Sequence, residues 1–437
     1  MCEGSLQGRG ARGEKSNTTP TLKGDRPTTE KQNMRENPSG QGREGRKAAQ
    51  SNYFKRIRYF QNMTIPRFLI VTHVMHTYAN GNYYAYGPYV REMNLWIKNA
   101  QHVIIVAPLS KQTTINPIDI CYTHNHVTFI RVPSFQLTNG INVLKSLWVV
   151  PYIMTVLLLT MFRANHIHLR CPGNMGLLGC FAQLFFPFKK KTAKYAGNWD
   201  WQSQQPFTYR LQQRLLRNTI LTHRMKTLVY GEWHDRTKNI VPFFTASYSE
   251  KDLLPIEPRT LKTGDIIKLM FVGALESGKN PIDSLLIAHE LIKRNVAIEI
   301  HFYGEGSLRD SLEKKIITLN MQHNAFVHGN VNSATLKDAY RDSHFMVLLS
   351  DSEGWPKAVA EAMWWGCVPV TTQVSCVPWM LANGERGVIA FDLVNAVANI
   401  LSLINSPKEY SLIAYRGVDW SRQYTLEKFE LEIQKLV

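Results

Sequence analysis

The sequence predicts an α/β protein with two doubly wound domains, and three observations support that prediction. At 437 residues the chain is well beyond the length at which a single hydrophobic core stops growing. Short apolar runs alternate with helical segments in two separate stretches, which is typical of parallel sheets covered on both faces. A polar stretch with Pro242, Pro255 and Pro258, running from Val241 to Gly264, separates the two and suits a linker beside a ligand cleft.

The first 62 residues differ in composition from the rest of the chain. Residues 1–62 hold 13 Lys and Arg against 6 Asp and Glu and have almost no apolar periodicity, so they cannot bury a core. We therefore predict a disordered basic segment, without the apolar stretch of a secretory signal. Met63 directly precedes the first strand-like run, so a translation start at Met63 and a genuine basic tail both stay open.

The first domain is expected over residues 63–245. Arg67 to Thr72 is a short apolar run that predicts a strand, and a Gly- and Tyr-rich loop follows it. A helix over Tyr89 to Asn99 and a strand over His102 to Ala107 continue the alternation.

Two apolar segments of this domain allow more than one interpretation. Ser146 to Phe162 contains 17 uncharged residues, at the short edge of what spans a bilayer. Because Pro151 lies inside it and a strand-like run begins soon afterwards at His166, we favour a buried helix over a membrane span. Gly176 to Phe188 precedes three lysines, which suits either a helix docked on anionic lipid or a core helix with a solvated basic end.

The second domain is expected over residues 246–420, where strands and helices again alternate. The predicted strands are Lys268 to Val272, Ala297 to Tyr303, Phe326 to His328 and His344 to Leu349, and the predicted helices are Pro281 to Arg294, Leu308 to Leu319 and Thr335 to Arg341. Residues 421–437 contain a final amphipathic helix, from Leu426 to Val437.

Charge and cysteine content exclude several classes of protein. The formal net charge of +17 favours an anionic partner, but the basic residues form no recognisable nucleic-acid-binding motif, so we expect no nucleic acid. The six cysteines are scattered, with no CxxC pair and no histidine cluster at zinc spacing. We expect a reducing cytoplasm and no metal.

The stretch from Ser350 to Met363 follows the predicted strand His344 to Leu349 and contains the candidate ligand-binding residues. We expect Glu353 in a loop, Pro356 as the first residue of a helix, and Glu361 within that helix. A helix N-terminus at the carboxyl end of a parallel strand offers free N–H groups to a diphosphate, here over Gly354 to Ala358. Two carboxylates beside a phosphate site make sense if they accept hydrogen bonds from sugar and ribose hydroxyls.

This stretch resembles the signature of retaining glycosyltransferases of the GT-B fold, family 4, in which two glutamates are separated by seven residues. The matching residues are Ser350, Glu353, Gly354, Pro356, Glu361, Ala362, Met363, Gly366, Pro369 and Val370. The resemblance extends over residues 266–390, through Phe271 to Gly273, Lys279, Tyr303 to Gly306, Val327 to Gly329 and Asn383 to Gly387. It implies a GT-B fold whose C-terminal helix crosses back onto the first domain.

The resemblance also implies roles for individual residues. Glu353 would contact hydroxyls of the transferred sugar, Glu361 the ribose hydroxyls and Lys279 the diphosphate. The expected donor-binding set is Gly273, Lys279, Gly304, Glu353, Gly354, Trp355, Pro356, Lys357 and Glu361. Gly304 and Gly329 fit a turn role equally well, and Lys279 taken alone would be an ordinary surface lysine.

Two departures from the family pattern affect this assignment. The family places an arginine after the first glycine of the Gly273 loop, where this chain has Ala274, and Lys357 is our candidate for the missing cation. The family also ends an N-terminal strand in a histidine that faces the sugar, and alignment by strand end places Arg170 there. Alternation puts His168 on the same strand face, and we favour a core position for it.

The expected catalytic residues are therefore Glu353, Arg170 and Lys279, and the expected acceptor-side residues are Arg170, Asn174, Asn198 and Asp200. For Asn198 and Asp200 a simple loop role is an open alternative.

The resulting hypothesis is a cytoplasmic enzyme that transfers a hexose from a UDP- or GDP-linked donor to a glycan or lipid-linked acceptor in polysaccharide biosynthesis. It would need no cofactor and no metal, and it allows peripheral contact with the anionic inner face of the membrane. Ala274 and the missing histidine motivate an alternative, a non-catalytic nucleotide-sugar-binding or partner protein on the same fold.

Overall fold

The computed structural model describes residues 64–116, 118–134, 140–256, 259, 261–262 and 264–437. The predicted basic segment 1–62, Met63 and Pro258 lie outside the described residues.

The N-terminal domain is built on a seven-stranded parallel sheet in the order β10-β9-β8-β7-β1-β4-β6. Its strands are β1 (Ile65–Val71), β4 (Ala100–Pro108), β6 (Val127–Val132), β7 (His166–Cys171), β8 (Lys190–Tyr195), β9 (Met225–Tyr230) and β10 (Ile240–Phe243). A small antiparallel sheet contains β2 (His76–Ala79), β3 (Asn82–Tyr86) and β5 (Asp119–Cys121). The helices are α1 (Gly87–Trp96), α2 (Gly140–Arg163), α3 (Asn174–Ala182) and α4 (Phe207–Arg217).

The C-terminal domain is built on a six-stranded parallel sheet in the order β13-β12-β11-β14-β15-β16. Its strands are β11 (Ile267–Val272), β12 (Ile298–Tyr303), β13 (Ala325–Gly329), β14 (Phe345–Leu348), β15 (Val368–Thr372) and β16 (Val388–Ala390). The helices are α5 (Pro281–Lys293), α6 (Arg309–Thr318), α7 (Ser333–Asp342), α8 (Lys357–Trp364), α9 (Val377–Met380), α10 (Leu393–Asn405), α11 (Pro407–Ser421) and α12 (Leu426–Gln434).

The prediction of two doubly wound α/β domains is confirmed. Most of the elements named from the sequence occur with ends that differ by at most three residues. Uninterrupted apolar runs such as Phe68 to Val71 become fully buried central strands. In each sheet the strand order reverses once, between β1 and β7 and between β11 and β14. Ligands bind in open parallel sheets at such a reversal, outside the carboxyl ends of the strands.

Four details of the sequence prediction were wrong. The Gly- and Tyr-rich loop after β1 contains the hairpin of β2 and β3, in which Asn80 and Gly81 have the positive φ of a tight turn. The helix expected over Gly176 to Phe188 ends at Ala182, and the following lysines begin β8. The linker expected from Val241 starts later, since its first residues belong to β10. Finally, Pro356 precedes α8 as its N-cap.

Helix α2 contains the apolar segment Ser146 to Phe162 and is buried on one face only. Ile153, Leu157 and Met161 are fully buried against the sheet, in agreement with the buried-helix interpretation. A stripe on the opposite face, Trp148, Tyr152, Leu159 and Phe162, is exposed. Among the described residues, no helix combines the length and apolarity needed to cross a bilayer.

Helix α12 packs against the N-terminal domain, although it follows the C-terminal domain in the chain. The ring of Phe429 lies 5.3 Å from that of Phe243 and 5.5 Å from that of Phe244. At the surface, Glu430 pairs with Lys98 of the N-terminal domain at 2.6 Å. The last helix therefore ties the two domains together.

Lys194 lies at this domain junction and is completely buried. Its Nζ donates a hydrogen bond to the carbonyl of Phe244 at 3.0 Å and lies 4.3 and 4.6 Å from the ring centres of Tyr230 and Phe243. Desolvation lowers the pKa of Lys194 from 10.5 to about 7, a shift that Glu92 opposes. Lys194 is therefore a charge that the fold holds at a cost in stability.

We predict that Lys194 makes stability depend on pH. Between pH 7 and 10.5 the unfolded lysine keeps a proton that the folded one releases, so its contribution to the unfolding free energy rises with pH, by about 1 kcal/mol per unit. Thermal unfolding of wild type and Lys194→Met at pH 6.5 to 9 measures this effect, and the wild type should gain on the variant as pH rises. Lys226→Met, at an exposed position of β9, is the control. Parallel pH curves for wild type and Lys194→Met would contradict the prediction.

Candidate active site

The strand reversal in the C-terminal sheet brings two expected residues into direct contact. Lys279 follows β11 and Glu353 follows β14, the two strands that flank the reversal. Their side chains form an ion pair with Nζ and Oε1 2.5 Å apart, and the Glu353 side chain is 9 % exposed. Asp351 N, which donates to the carbonyl of Gly278 at 3.0 Å, holds the two loops together. The pair thus lies where a parallel sheet binds ligands.

The N-terminus of α8 forms the floor beside this ion pair. Pro356 is the N-cap and makes no side-chain cap, so the first N–H groups of the helix are open to an anion. Gly354 lies against the other domain, since a Cβ there would be 2.8 Å from the carbonyl oxygen of Ala196. Gly304 serves packing, because a Cβ on it would overlap the carbonyl of Gly273.

Glu361 lies further along α8 and accepts hydrogen bonds from two hydroxyls. Ser247 Oγ donates to its Oε1 at 2.5 Å and Tyr340 Oη to its Oε2 at 3.2 Å. Desolvation raises the pKa of Glu361, while these hydrogen bonds and the nearby Lys357 oppose the rise. The carboxylate is thus already placed to accept from hydroxyls.

The N-terminal domain contributes the opposite wall from its own strand reversal. Arg170, near the end of β7, pairs with Glu92 at 3.5 Å, and its guanidinium lies 5.6 Å from the ring centre of Tyr89. His73 follows β1 and lines the same cavity. Desolvation and the charge of Arg170 lower the pKa of His73, so its ring is neutral near pH 7 and can accept a hydrogen bond.

The side chains of His168 and Arg170, both on β7, lie in different surroundings. The His168 ring is fully buried, 4.5 Å from Trp96, and its Nδ1 shares a hydrogen bond with Thr192 Oγ1 at 2.8 Å. Burial lowers its pKa well below the usual value. His168 is therefore a core residue, and Arg170 is the one that reaches the cleft.

One cavity of about 720 Å³ collects most of the expected residues from both domains. It is lined by Arg170, Gly273, Lys279, Glu353, Gly354, Trp355, Pro356, Lys357 and Glu361, with Ala274 between them. Trp355 is mostly occupied in packing, because its ring is buried among Tyr230, Trp379 and Trp420. A second cavity of about 370 Å³ adjoins the first and shares Glu92, Lys357 and Glu361 with it.

The remaining expected residues lie outside the main cavity. Asn198 lines a neighbouring cavity of about 350 Å³ that also contacts Lys279 and Glu353. Its Oδ1 accepts from the backbone N–H of Asp200, and Asp200 in turn accepts from Gln202, so both side chains shape their loop. Asn174 is the first residue of α3 and, like Gly304, is not part of the cavity wall.

Sequence reasoning missed His73, Ser247 and Tyr340. A signal existed for His73, because it directly follows the first predicted strand, where cleft residues are expected. No local pattern marks Ser247 in the linker or Tyr340 on α7. Among the described residues, no group of three or more His, Cys, Asp or Glu side chains is placed to hold a metal ion.

Known proteins resemble this chain in sequence and in fold. Residues 256–418 match the family model "Glycosyl transferases group 1". A poly(ribitol-phosphate) alpha-N-acetylglucosaminyltransferase of Staphylococcus aureus (strain COL) is 34% identical over 155 residues, which cover 35% of this chain and 30% of that protein. An uncharacterized glycosyltransferase of Methanocaldococcus jannaschii is 25% identical over 175 residues, 40% of this chain and 48% of the relative. The match thus spans less than half the length of either curated relative.

Among solved structures, a sucrose-phosphate synthase from Thermosynechococcus elongatus superposes with a TM-score of 0.60 at 16% identity. The superposition covers 85% of this chain and 98% of that one. The similarity therefore extends over both domains and concerns the fold.

We predict that Gly354 is required for the domains to meet. A methyl group in Gly354→Ala would meet the backbone of Ala196 and force the domains to shift, at a cost of about 1 to 3 kcal/mol. Gly278→Ala is the matched control, because a Cβ at exposed Gly278 meets nothing within 4 Å. Thermal unfolding should show a lower midpoint for Gly354→Ala and an unchanged or slightly higher one for Gly278→Ala. Equal midpoints would refute the close approach.

Proposed function

Because residues 256–418 form a glycosyl transferases group 1 domain and the chain has the GT-B fold, we propose that the protein is a retaining glycosyltransferase. It transfers a hexose from a UDP- or GDP-linked donor to a glycan or lipid-linked acceptor in polysaccharide biosynthesis. The observation that carries the proposal is the grouping of Lys279, Glu353 and Glu361 around the open N-terminus of α8.

In the proposed complex, the donor diphosphate lies over the N-terminus of α8. Lys279 turns from Glu353 towards the phosphates, because the two negative charges of the diphosphate attract the lysine more strongly than the single charge of Glu353. Glu353 is then free to accept hydrogen bonds from the sugar hydroxyls. Lys357, which lines the same cavity as Ala274, supplies the second cation in place of the family's arginine.

The nucleoside occupies the adjoining cavity of about 370 Å³. Glu361 stands at the boundary of the two cavities, where ribose hydroxyls replace those of Ser247 and Tyr340 as donors. Since Ser247 belongs to the interdomain linker, this exchange couples donor binding to the position of the linker.

The reaction replaces one bond at the anomeric carbon of the sugar. The bond to the diphosphate oxygen breaks as the acceptor hydroxyl oxygen attacks from the same face, and the hydroxyl proton passes to the departing phosphate. Lys279, Lys357 and the helix N-terminus stabilise the negative charge that develops on the leaving group. Arg170 and His73 approach from the other domain and position the acceptor.

Two further features support parts of the proposal. The S. aureus relative is named for transfer of N-acetylglucosamine to poly(ribitol phosphate), and a phosphate-bearing acceptor would suit Arg170. Peripheral contact with the anionic inner face of the membrane, on a cytoplasmic protein, would suit the net charge of +17.

We predict slow hydrolysis of one nucleotide sugar in the absence of acceptor. A panel of UDP- and GDP-linked hexoses and N-acetylhexosamines should reveal one productive donor. Lys279→Ala should lower kcat by about 100-fold or more, because a cation at the leaving group is lost. Glu290→Ala combined with Lys293→Ala removes a comparable ion pair from the surface of α5 and should change nothing. If a donor binds but none is hydrolysed, the enzyme proposal fails and a non-catalytic nucleotide-sugar-binding protein is favoured. If no donor binds, the enzyme proposal fails and only the partner-protein alternative is left.

We also predict that donor affinity falls as the pH decreases. Because the pKa of Glu361 is raised, the carboxylate takes up a proton at a higher pH than an ordinary glutamate and then accepts hydroxyl hydrogen bonds less well. Titration calorimetry of the donor or UDP over pH 4.5 to 7.5 measures the change. Glu361→Gln should bind roughly 10-fold more weakly at neutral pH and show little pH dependence. The same slope in wild type and variant would assign the effect to another group.

A further inference from the structure

The positive charge of the described chain is concentrated in the N-terminal domain. Residues 64–245 contain 19 Lys and Arg against 5 Asp and Glu, whereas residues 246–437 contain 19 against 23. The cleft accounts for few of these cations, which leaves a large excess on surfaces that the proposed reaction does not use.

Much of this excess surrounds a cavity of about 450 Å³ at the amino ends of β8 and β9. Its cationic lining residues from this domain are Lys190, Lys191, Arg224, Lys226 and Lys238, and no Asp or Glu side chain is among its described lining residues. Lys435, from the end of the chain, also lines the cavity, and its Nζ pairs with Glu432 at 2.6 Å. Lys191 is buried, and its Nζ donates to the carbonyl of Phe186 at 2.8 Å. Like charges so grouped are favourable only when an anion is near them.

Large apolar side chains protrude directly beside this cavity. Phe185, Phe188 and Ile220 are 70%, 76% and 85% exposed. Arg224 of the cavity donates to the carbonyl of Phe188 at 2.8 Å, and the Phe188 ring lies 6.1 Å from that of His223. The cationic cavity and these side chains therefore form one surface.

The same surface continues onto helix α2 through Lys189. Its Nζ donates to the carbonyl of Phe162 at 2.6 Å and lies 5.9 Å from the centre of the Phe162 ring. Phe162 ends the exposed stripe of Trp148, Tyr152 and Leu159. Tryptophan and tyrosine are the residues enriched where proteins meet the membrane interface.

We infer that this surface, which we call the basal surface, docks the protein on an anionic lipid bilayer. We define it as Phe162, Phe185, Phe188, Ile220 and the cation-lined cavity. A bilayer presents an anionic headgroup layer directly above an apolar interior, so it matches both features at once. A nucleic acid would satisfy the cations and leave the protruding apolar side chains in water. The inference rests on the proposed function for membrane contact, but it does not depend on glycosyl transfer.

The placement leaves the cleft accessible. The basal cavity lies at the amino ends of strands whose carboxyl ends reach the cleft, and β8 has six residues, so the two are separated by roughly 20 Å. A docked protein would thus hold its active site above the headgroups, open to donor and to an extended acceptor.

The test is co-sedimentation of the full-length chain with vesicles of phosphatidylglycerol and phosphatidylcholine, and with phosphatidylcholine alone. We expect binding to the anionic vesicles only. Lys226→Glu with Lys238→Glu should weaken it by about 10-fold or more, because both lysines are exposed in the cavity wall. Phe185→Ser with Phe188→Ser should weaken it as well, because apolar insertion is lost.

Matched controls come from the other domain. Lys314→Glu with Lys408→Glu makes the same charge change at exposed positions, and Phe391→Ser with Val394→Ser removes side chains that are 74% and 70% exposed. Both controls should bind like wild type. Unchanged thermal midpoints and donor hydrolysis without vesicles would show that the basal variants remain folded and that any lost binding is unrelated to catalysis.

Two outcomes would overturn the inference. One is no binding of the wild-type chain to anionic vesicles, and the other is an equal loss of binding in basal and control variants. If the chain binds no vesicles but binds inorganic pyrophosphate in a way that depends on Lys226 and Lys238, the cavity is a site for a soluble anion.

Discussion

The reversal of strand order in each parallel sheet is the constraint on which the rest of the structure depends. A reversal leaves the loops of two neighbouring strands without a crossover helix between them, so they can converge on one point. In the C-terminal sheet this point holds Lys279 and Glu353, and in the N-terminal sheet it holds His73 and Arg170. The cleft exists because the two points face each other, and Gly354 lies against Ala196 at one of the close contacts between the domains.

The charged side chains in the cleft are paired with partners that a bound donor could replace. Lys279 pairs with Glu353 and Arg170 with Glu92, while Glu361 accepts from two neutral hydroxyls. Such pairing offsets part of the desolvation cost of partly buried charges. A nucleotide sugar supplies both phosphate charge and hydroxyl donors, so under the proposed function it would replace these partners without leaving a charge unpaired.

The two domains also differ in net charge. The C-terminal domain carries a small excess of acids, so its donor site depends on a few placed cations and a helix N-terminus. The N-terminal domain carries the excess of basic residues, and part of it lies at the amino ends of β8 and β9, away from the cleft. Helix α12 packs Phe429 against Phe243 and Phe244 and so links the two domains.

The sequence by itself determined the fold class and most strand and helix positions. These follow from local patterns, because the residues of an apolar run or of an amphipathic helix lie within a few positions of one another. The roles expected for Glu353, Glu361 and Lys279 come from the resemblance to a family and stay predictions. Only the tertiary structure brought Ser247 and Tyr340 to Glu361 and buried Lys194 against the carbonyl of Phe244. For His168 it agrees with the core position that the sequence favoured. Those contacts join residues from separate elements, and Ser247 and Glu361 are 114 positions apart. Their formation depends on domain packing, which local sequence patterns do not encode.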